Sequence, residues 1–498
     1  MDRPADLLGL GGGSVELSPM KIGLYVSVVL FCANLVHRVR RWYRLRHIPG
    51  PLVSSLTSLW LFWRCLGPRI DKDGKALVDK YGPIVRLTPN SILLADVDEV
   101  IRIMSARSMY RKDDWYLIGQ VQPGKDHILS MRDKEERRER KKKIAPGYSG
   151  KSGSDFEDGI NRGIAALIDL IERKYISDGG PDFRLLDLAV KTHYYALDSL
   201  GEIAFSKPFG FLANDQDMHD IIKLNDQLLP VLFLASNFTW FIKLLLKWPF
   251  YYLLPRDGDN AGFGYIMGHA TALIDERLNN NSKPKRDILQ SFISQELTRD
   301  ELKQEVSIQF FVGSDTTAMW IRMTILFLLT NPSAYGKLQT ELDDAAARGL
   351  ISAPIRDAEA RELPYLQAVL RESIRCFPSV SAGAFYKNVP AGGDTVCGHL
   401  LPEGTRVSTV AGIYAINHSK ELWGADADVF RPERWLEKED VHEMMKILDL
   451  TFATGQFQCS GKVIAQMQVN KVVPEVSTYI LRLLFCCPLT KSLAKRSD

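Results

Sequence analysis

The stretch Phe452-Ala453-Thr454-Gly455-Gln456-Phe457-Gln458-Cys459-Ser460-Gly461 constrains this chain more than any other, because it runs straight into the helical pattern Lys462-Val463-Ile464-Ala465-Gln466-Met467. A cysteine at a helix N-terminus meets free backbone N–H groups and the positive end of the macrodipole. Both favour the thiolate and are expected to lower the thiol pKa. A thiolate serves equally as a nucleophile or as a metal ligand, and the residues alone leave both roles open. The glycines let the backbone pass close to a flat, bulky partner without a Cβ clash, and N–H groups aimed at the sulfur would tune its electron density. A cysteine beside a turn is also an ordinary buried thiol, so other stretches must carry independent weight.

With 498 residues, 46% hydrophobic and 25% charged, the chain can bury a large core and lies outside the disordered compositions. No long Gly/Ser/Pro linker interrupts it after the N-terminal region, which predicts a flexible lead and membrane anchor in residues 1–47 and one catalytic domain in 48–498. A net charge of +3 gives no global electrostatic case for nucleic acid. Seven cysteines, an odd number without a Cys-x-x-Cys pair or regular spacing, argue against a disulfide framework or a zinc site, and reduced thiols suit a domain facing the cytosol.

After Met1–Ser18, with Gly11-Gly12-Gly13, comes the apolar run Ile22–Val36, shorter than the roughly 20 residues that comfortably span a bilayer. Lys21 can snorkel and so lengthen it slightly. Arg38, Arg40, Arg41, Arg44 and Arg46 follow, a distribution that keeps this side of a first span in the cytosol. A signal peptide or a surface amphipathic helix would also use a short apolar run, but no small-residue cleavage site precedes the arginines. Pro49-Gly50-Pro51 then stops any helix.

Further along, Tyr81–Leu94 reads as two short strands broken by Thr88-Pro89-Asn90. Lys134–Lys143 is a dense charge run, which on its own describes a solvated helix face. Phe238–Leu254, rich in Trp, Phe, Tyr and Leu, is either a buried helix pair or a membrane-dipping lip. Glu301–Thr330 is a long helical pattern containing Val312-Gly313-Ser314-Asp315-Thr316-Thr317. An aspartate and two threonines there must hydrogen-bond or line a cavity, and threonine back-bonding with Gly313 is expected to open the helix. In Glu372-Ser373-Ile374-Arg375 the two charges share a helix face. Pro378–Pro402 reads as short strands and turns, and Phe430-Arg431-Pro432-Glu433-Arg434-Trp435 follows.

In this order the set resembles the cytochrome P-450 family. The resemblance implies a mainly α fold with a smaller β region and an N-terminal membrane anchor helix. It makes Cys459 the axial thiolate ligand of a haem iron, in a loop with Phe452, Gly455 and Gly461. It makes Asp315 and Thr316 an acid–alcohol pair that delivers protons for O2 cleavage. Glu372, Arg375 and Arg434 become an internal charged triad, and Lys141 and Lys387, with Arg137, become cations beside the haem propionates. The implied partners are an NADPH-dependent reductase, an apolar small-molecule substrate and the endoplasmic reticulum membrane.

Tyr81–Tyr116, Gly147–Lys151 and Gln458–Lys462 resemble the fungal pisatin demethylase-like branch, which points to secondary metabolism. Three departures stand out: Val312 where a small residue is usual, Phe457 where an arginine is usual, and no recognisable C-terminal hairpin in Leu481–Asp498. Two other functions remain open on the sequence, a haem-thiolate isomerase or dehydratase and a non-catalytic membrane protein.

Overall fold

The computed structural model describes residues 19–67, 69–120, 122–150, 156–176, 184–279, 284–381, 385–437 and 440–486. The glycine-bearing lead, Lys151 and residues 487–498 of the expected atypical tail lie outside them. The helices that matter for the site are α1 (Pro19–Arg44), α2 (Lys134–Tyr148), α3 (Phe156–Tyr175), α4 (Leu188–Phe205), α5 (Gly262–Asn279), α6 (Arg299–Thr330), α7 (Pro364–Cys376) and α8 (Lys462–Cys486).

Helix α6 is the axis around which the others pack. Its start is fixed by a capping box, in which the Thr298 side chain accepts from the Glu301 N–H and the Glu301 carboxylate accepts from the Thr298 N–H. Asp300 and Glu301 sit in the first turn, where the helix dipole favours them. Helices α4, α5, α7 and α8 pack against it. Phe310 of α6 stacks on Phe205 at 5.4 Å and receives Phe209 edge-on at 4.7 Å. The expected mainly α architecture with a small β region is therefore present.

The β region is a five-stranded sheet in the order β1-β2-β7-β4-β3, built from β1 (Ile84–Thr88), β2 (Ser91–Leu94), β3 (Arg111–Lys112), β4 (Lys387–Asn388) and β7 (Arg406–Ser408). Strands β5 (Asp394–Val396) and β6 (His399–Leu401) form a separate hairpin. The strand break falls at Pro89-Asn90, as the sequence predicts, and β1 and β2 are buried throughout. β3 and β4 run antiparallel with Lys112 directly opposite Lys387. That register brings together two lysines distant in sequence.

Helix α1 contains the expected apolar run but continues through the arginines to Arg44. Among the described residues no single helix is long and apolar enough to cross a membrane, whereas the bent pair Met218–Ser236 and Thr239–Leu245 meets that standard by length and composition. The expected transmembrane helix is therefore not shown: the apolar run fills only part of α1, and Arg38, Arg40, Arg41 and Arg44 follow in the same helix. The C-terminal end of α1 is held by Arg86 of β1, whose guanidinium donates to the carbonyls of Arg41 and Trp42 at 3.2 Å and of Pro89 at 2.9 Å. With only carbonyl partners, this buried guanidinium has its pKa pushed down by burial to about 10.

The predicted triad forms. Arg375 of α7 makes a two-pronged pair with Glu372, at 2.9 and 2.7 Å, and Arg434 reaches Glu372 at 2.8 Å. The Trp435 indole and the Arg431 N–H complete the carboxylate's partners at 2.9 and 3.0 Å. Glu372 and Arg375 are 0% exposed. Burial works against the Glu372 charge, but the Arg375 hydrogen bond and the two arginine charges outweigh it and hold its pKa below the ordinary value. Glu372→Ala, which strands two buried guanidinium groups, is expected to cost about 3–5 kcal/mol in denaturant unfolding. A lowered folded pKa adds stability that is complete above the unfolded value of about 4.3 and disappears as pH falls through the folded one. The stability gap between wild type and Glu372→Gln should therefore narrow progressively as pH falls below about 4.3.

Candidate functional site

Two 3₁₀ turns, Leu450–Phe452 and Gly455–Phe457, lead the chain to Cys459. The Cys459 N–H donates to the Phe452 carbonyl at 2.8 Å and closes the loop. Gly455 has φ +57°, and a Cβ there would run into the Met104 carbonyl, so this turn admits only glycine. The Phe452 ring lies 5.8 Å from Trp320 of α6. That contact ties the loop to the central helix.

Cys459 precedes α8 and is exposed, yet protein crowds it closely. The backbone N–H groups of Gly461 and Lys462 and the charges of Lys141 and Lys462 favour its thiolate, but burial prevails and pushes the thiol up. The expected lowering is thus not met by the polypeptide alone: desolvation by the surrounding protein exceeds the help of the helix N-terminus. A metal cation at the sulfur would reverse the balance.

The 312–317 segment stays α-helical, so the expected opening is not seen in the backbone. Back-bonding does occur: Thr316 Oγ1 donates to the Val312 carbonyl at 2.9 Å and Ser314 Oγ to that of Phe310 at 2.7 Å. These extra bonds are satisfied within an intact i→i−4 ladder. Val312 is 39% exposed, although Phe310 and Ala318 on the same helix are at 1% and 0%. Thr316 lies one turn before Trp320, on the face of α6 that meets the cysteine loop. Asp315 points differently. Burial lowers the pKa of His193 of α4 and raises that of Asp226; the Asp315 charge opposes the first shift and adds to the second.

Cations converge beside the loop. Lys387 Nζ donates to the Phe385 carbonyl at 2.8 Å and to the Tyr116 hydroxyl, and Lys112 Nζ to the carbonyls of Ile128 and Leu129 at 2.9 and 2.7 Å. Arg137 of α2 donates to Gln456 Oε1 at 2.5 Å. All three are buried, and among the described residues none of their hydrogen bonds goes to a carboxylate. Burial, followed by the Arg137 charge, brings Lys387 down to about 7, and burial carries Lys112 well below its usual value. The nearby Asp113 carboxylate is engaged by Arg406 at 2.7 Å.

Of the cations named from the sequence, Lys387 and Arg137 belong to this cluster, while Lys141 reaches only the Gln458 carbonyl at 3.5 Å. Lys112 and Tyr116 escaped sequence reasoning. Nothing in Lys112-Asp113-Asp114-Trp115-Tyr116 marks them, and only the β3–β4 register reveals their place.

These residues fit an iron porphyrin. An exposed thiol offers one soft ligand, and among the described residues no group of three or more His, Cys, Asp or Glu is placed to hold a bare metal ion. A Cβ added to Gly461 would meet no protein atom within 4 Å, so the space beside it is open to a flat group. Buried cations bonded only to neutral oxygens suit acidic side groups.

The cytochrome P-450 family model matches residues 53–476. The chain is 36% identical to cytochrome P-450 monooxygenase ABA1 of Pyricularia oryzae, covering 87% of this chain and 86% of that protein. It is 34% identical to cytochrome P-450 monooxygenase abl1 of Leptosphaeria maculans over 95% of this chain and 83% of the relative. A cytochrome P-450 monooxygenase of Aspergillus terreus is 32% identical, with 92% and 94% covered. A thiol held at the start of α8 beneath the Thr316 face of α6, in a chain matched over this span, makes the protein a member of the cytochrome P-450 family and a monooxygenase of the oxidoreductase class.

Proposed function

We propose that the protein is a haem-thiolate monooxygenase that inserts one oxygen atom of O2 into an apolar small molecule in fungal secondary metabolism. The observation that carries this reading is the exposed Cys459 at the N-terminus of α8, tied through Phe452 and Trp320 to the α6 face bearing Thr316. Haem supplies O2 binding and cleavage when bound. Cys459 is its ligand, and Gly455 and Phe452 fix the loop that presents the sulfur. Gly461 leaves room for the ring, while Arg137 and Lys387, with Lys141 at the rim, face the propionates.

With haem bound, Thr316 Oγ1 would be the proton-holding group on this face of α6, and Asp315, whose charge acts toward His193, would be the acid that replenishes it. Val312 narrows the substrate side. The intact acid–alcohol pair favours oxygenation over an isomerase or dehydratase role, which needs no such relay.

Electrons come from an NADPH-dependent reductase docking near the exposed basic residues of α2, among them Arg138, Lys142 and Lys143. Helix α1 anchors the protein to the endoplasmic reticulum, with its arginines and the catalytic domain on the cytosolic side. Trp240 and Trp248, 67% and 75% exposed, lie in the segment that meets the 59–65 helix through Phe238 and Phe62, and together they form a membrane-facing lip. Within the family, the likeness to the pisatin demethylase-like branch rests on Tyr81–Tyr116, Gly147–Lys151 and Gln458–Lys462.

The decisive measurement is the absorbance spectrum of the reduced, CO-treated protein in microsomes. A red-shifted Soret band that vanishes in Cys459→Ala is expected, and its absence in wild type would sink the proposal. Thr316→Ala should keep that band yet divert NADPH consumption to hydrogen peroxide, with product per NADPH falling about tenfold or more. Deleting residues 1–47 should move the protein toward the soluble fraction, with residual membrane binding removed by Trp240→Ser/Trp248→Ser. Unchanged sedimentation of the combined variant would exclude both contacts as anchors.

A further inference from the structure

The three buried cations do not simply neighbour one another; aromatic rings alternate with them. Lys112 Nζ lies 4.8 Å from the Tyr116 ring centroid and Lys387 Nζ 4.9 Å from the same ring. Lys387 Nζ is also 4.6 Å from the Phe457 centroid, and Arg137 Cζ is 4.5 Å from it. The order is Lys112, Tyr116, Lys387, Phe457, Arg137, contributed by strands β3 and β4, the turn after β3, the cysteine loop and α2. Each ring is shared by two cations.

Such a row needs an explanation. Lys112 and Lys387 are directly opposite in an antiparallel pair, where like charges repel. Arg137 adds a third charge that reaches both lysines. Their hydrogen bonds go to carbonyls and one hydroxyl, and carboxylates act on them without a direct bond among the described residues: Glu305 and Asp126 on Lys112, Asp113 on Lys387 and Asp133 on Arg137. The negative face of an aromatic ring adds to that counter-charge, and does so more effectively when water is excluded. Tyr116 is itself fixed by edge contacts to Trp115 and Phe385, at 5.3 and 6.0 Å.

We propose that Phe457 is a positioning residue whose ring, together with that of Tyr116, holds Lys112, Lys387 and Arg137 in one row as a preassembled receptor for the carboxylates of the cofactor. This rests on the haem-thiolate reading above. An arginine at position 457 would bring a further positive charge on the loop itself. Phe457 brings none, and instead organises charges that other segments contribute. The receptor is thereby built from three parts of the chain, and the loop that carries Cys459 is locked to them through a ring rather than through an ion pair.

The test replaces Phe457 in the full-length protein with 4-fluoro-, 3,5-difluoro- and 3,4,5-trifluorophenylalanine. These nearly preserve shape while progressively draining the negative ring face. The readout is the rate of haem transfer to excess apomyoglobin, with the reduced CO spectrum recorded for each variant. A graded rise in transfer rate is expected, reaching about tenfold for the trifluoro ring. Equal rates across the series would overturn the proposal and leave Phe457 a packing residue.

In Lys387→Met the same series should flatten, since the ring then serves one cation fewer, and undiminished sensitivity to fluorination would equally overturn it. The two readings fail differently. Wild type without any haem band would overturn the haem-thiolate reading and this inference with it, whereas a normal band with fluorine-independent transfer would overturn only the role of Phe457.

Discussion

A carboxylate removed from water is tolerable only when its lone pairs are all engaged, and Glu372 meets that demand with two guanidinium groups, an indole and a backbone N–H. Because these donors come from α7 and from the Arg431–Trp435 turn, satisfying one side chain fixes two segments against each other. Arg375 also donates to the carbonyls of Asn417 and Ala427, which extends the same constraint to the chain between β7 and that turn. The neighbouring Ser373 hydroxyl accepts the Trp320 indole N–H of α6, and Trp320 packs on Phe452 of the cysteine loop. The position of Cys459 beneath the central helix thus depends on a charge cluster that never touches it.

The opposite electrostatic solution operates around Phe457. There the buried charges share one sign, rings and neutral oxygens make the direct contacts, and the carboxylates of Asp113, Asp126, Asp133 and Glu305 act without a direct bond among the described residues. The triad is complete within the polypeptide, which makes it scaffold. The cation row is not, and an incomplete set of buried charges is the signature of a site that awaits a partner of the other sign.

Much of this could be read from the sequence, for reasons that are themselves local. A proline and an asparagine between apolar runs gave β1 and β2, because proline cannot continue the ladder. Glu372 and Arg375 are three apart on a helix, so their pairing follows from helical geometry. The apolar periodicity starts α6 at Glu301, two residues after its first helical residue Arg299, although Thr298 and Glu301 carry the spacing of a capping box.

What escaped was non-local or depended on the outcome of competing terms. Lys112 meets Lys387 only through a strand register that no short-range pattern encodes. The thiol of Cys459 illustrates the second kind. The helix N-terminus argues for a lowered pKa, but how tightly the protein packs around the sulfur decides the sign. Likewise the apolar run in the N-terminal region is visible in the sequence, while the continuation of one helix from it through the arginines to Arg44 is seen only in the structure.

The grip of Arg86 on α1 has a mechanical consequence. A helix of 26 residues is a rod about 39 Å long. Its final carbonyls are bonded to a guanidinium rooted in a buried strand, and Arg44 and His47 add contacts to the carbonyls of Glu403 and Leu400. A rod clamped at one end behaves as a lever. Torque applied along α1 passes into the β sheet at Arg86 instead of being dissipated at a loose joint, so the tilt of this helix and the heading of the catalytic body are one degree of freedom, not two.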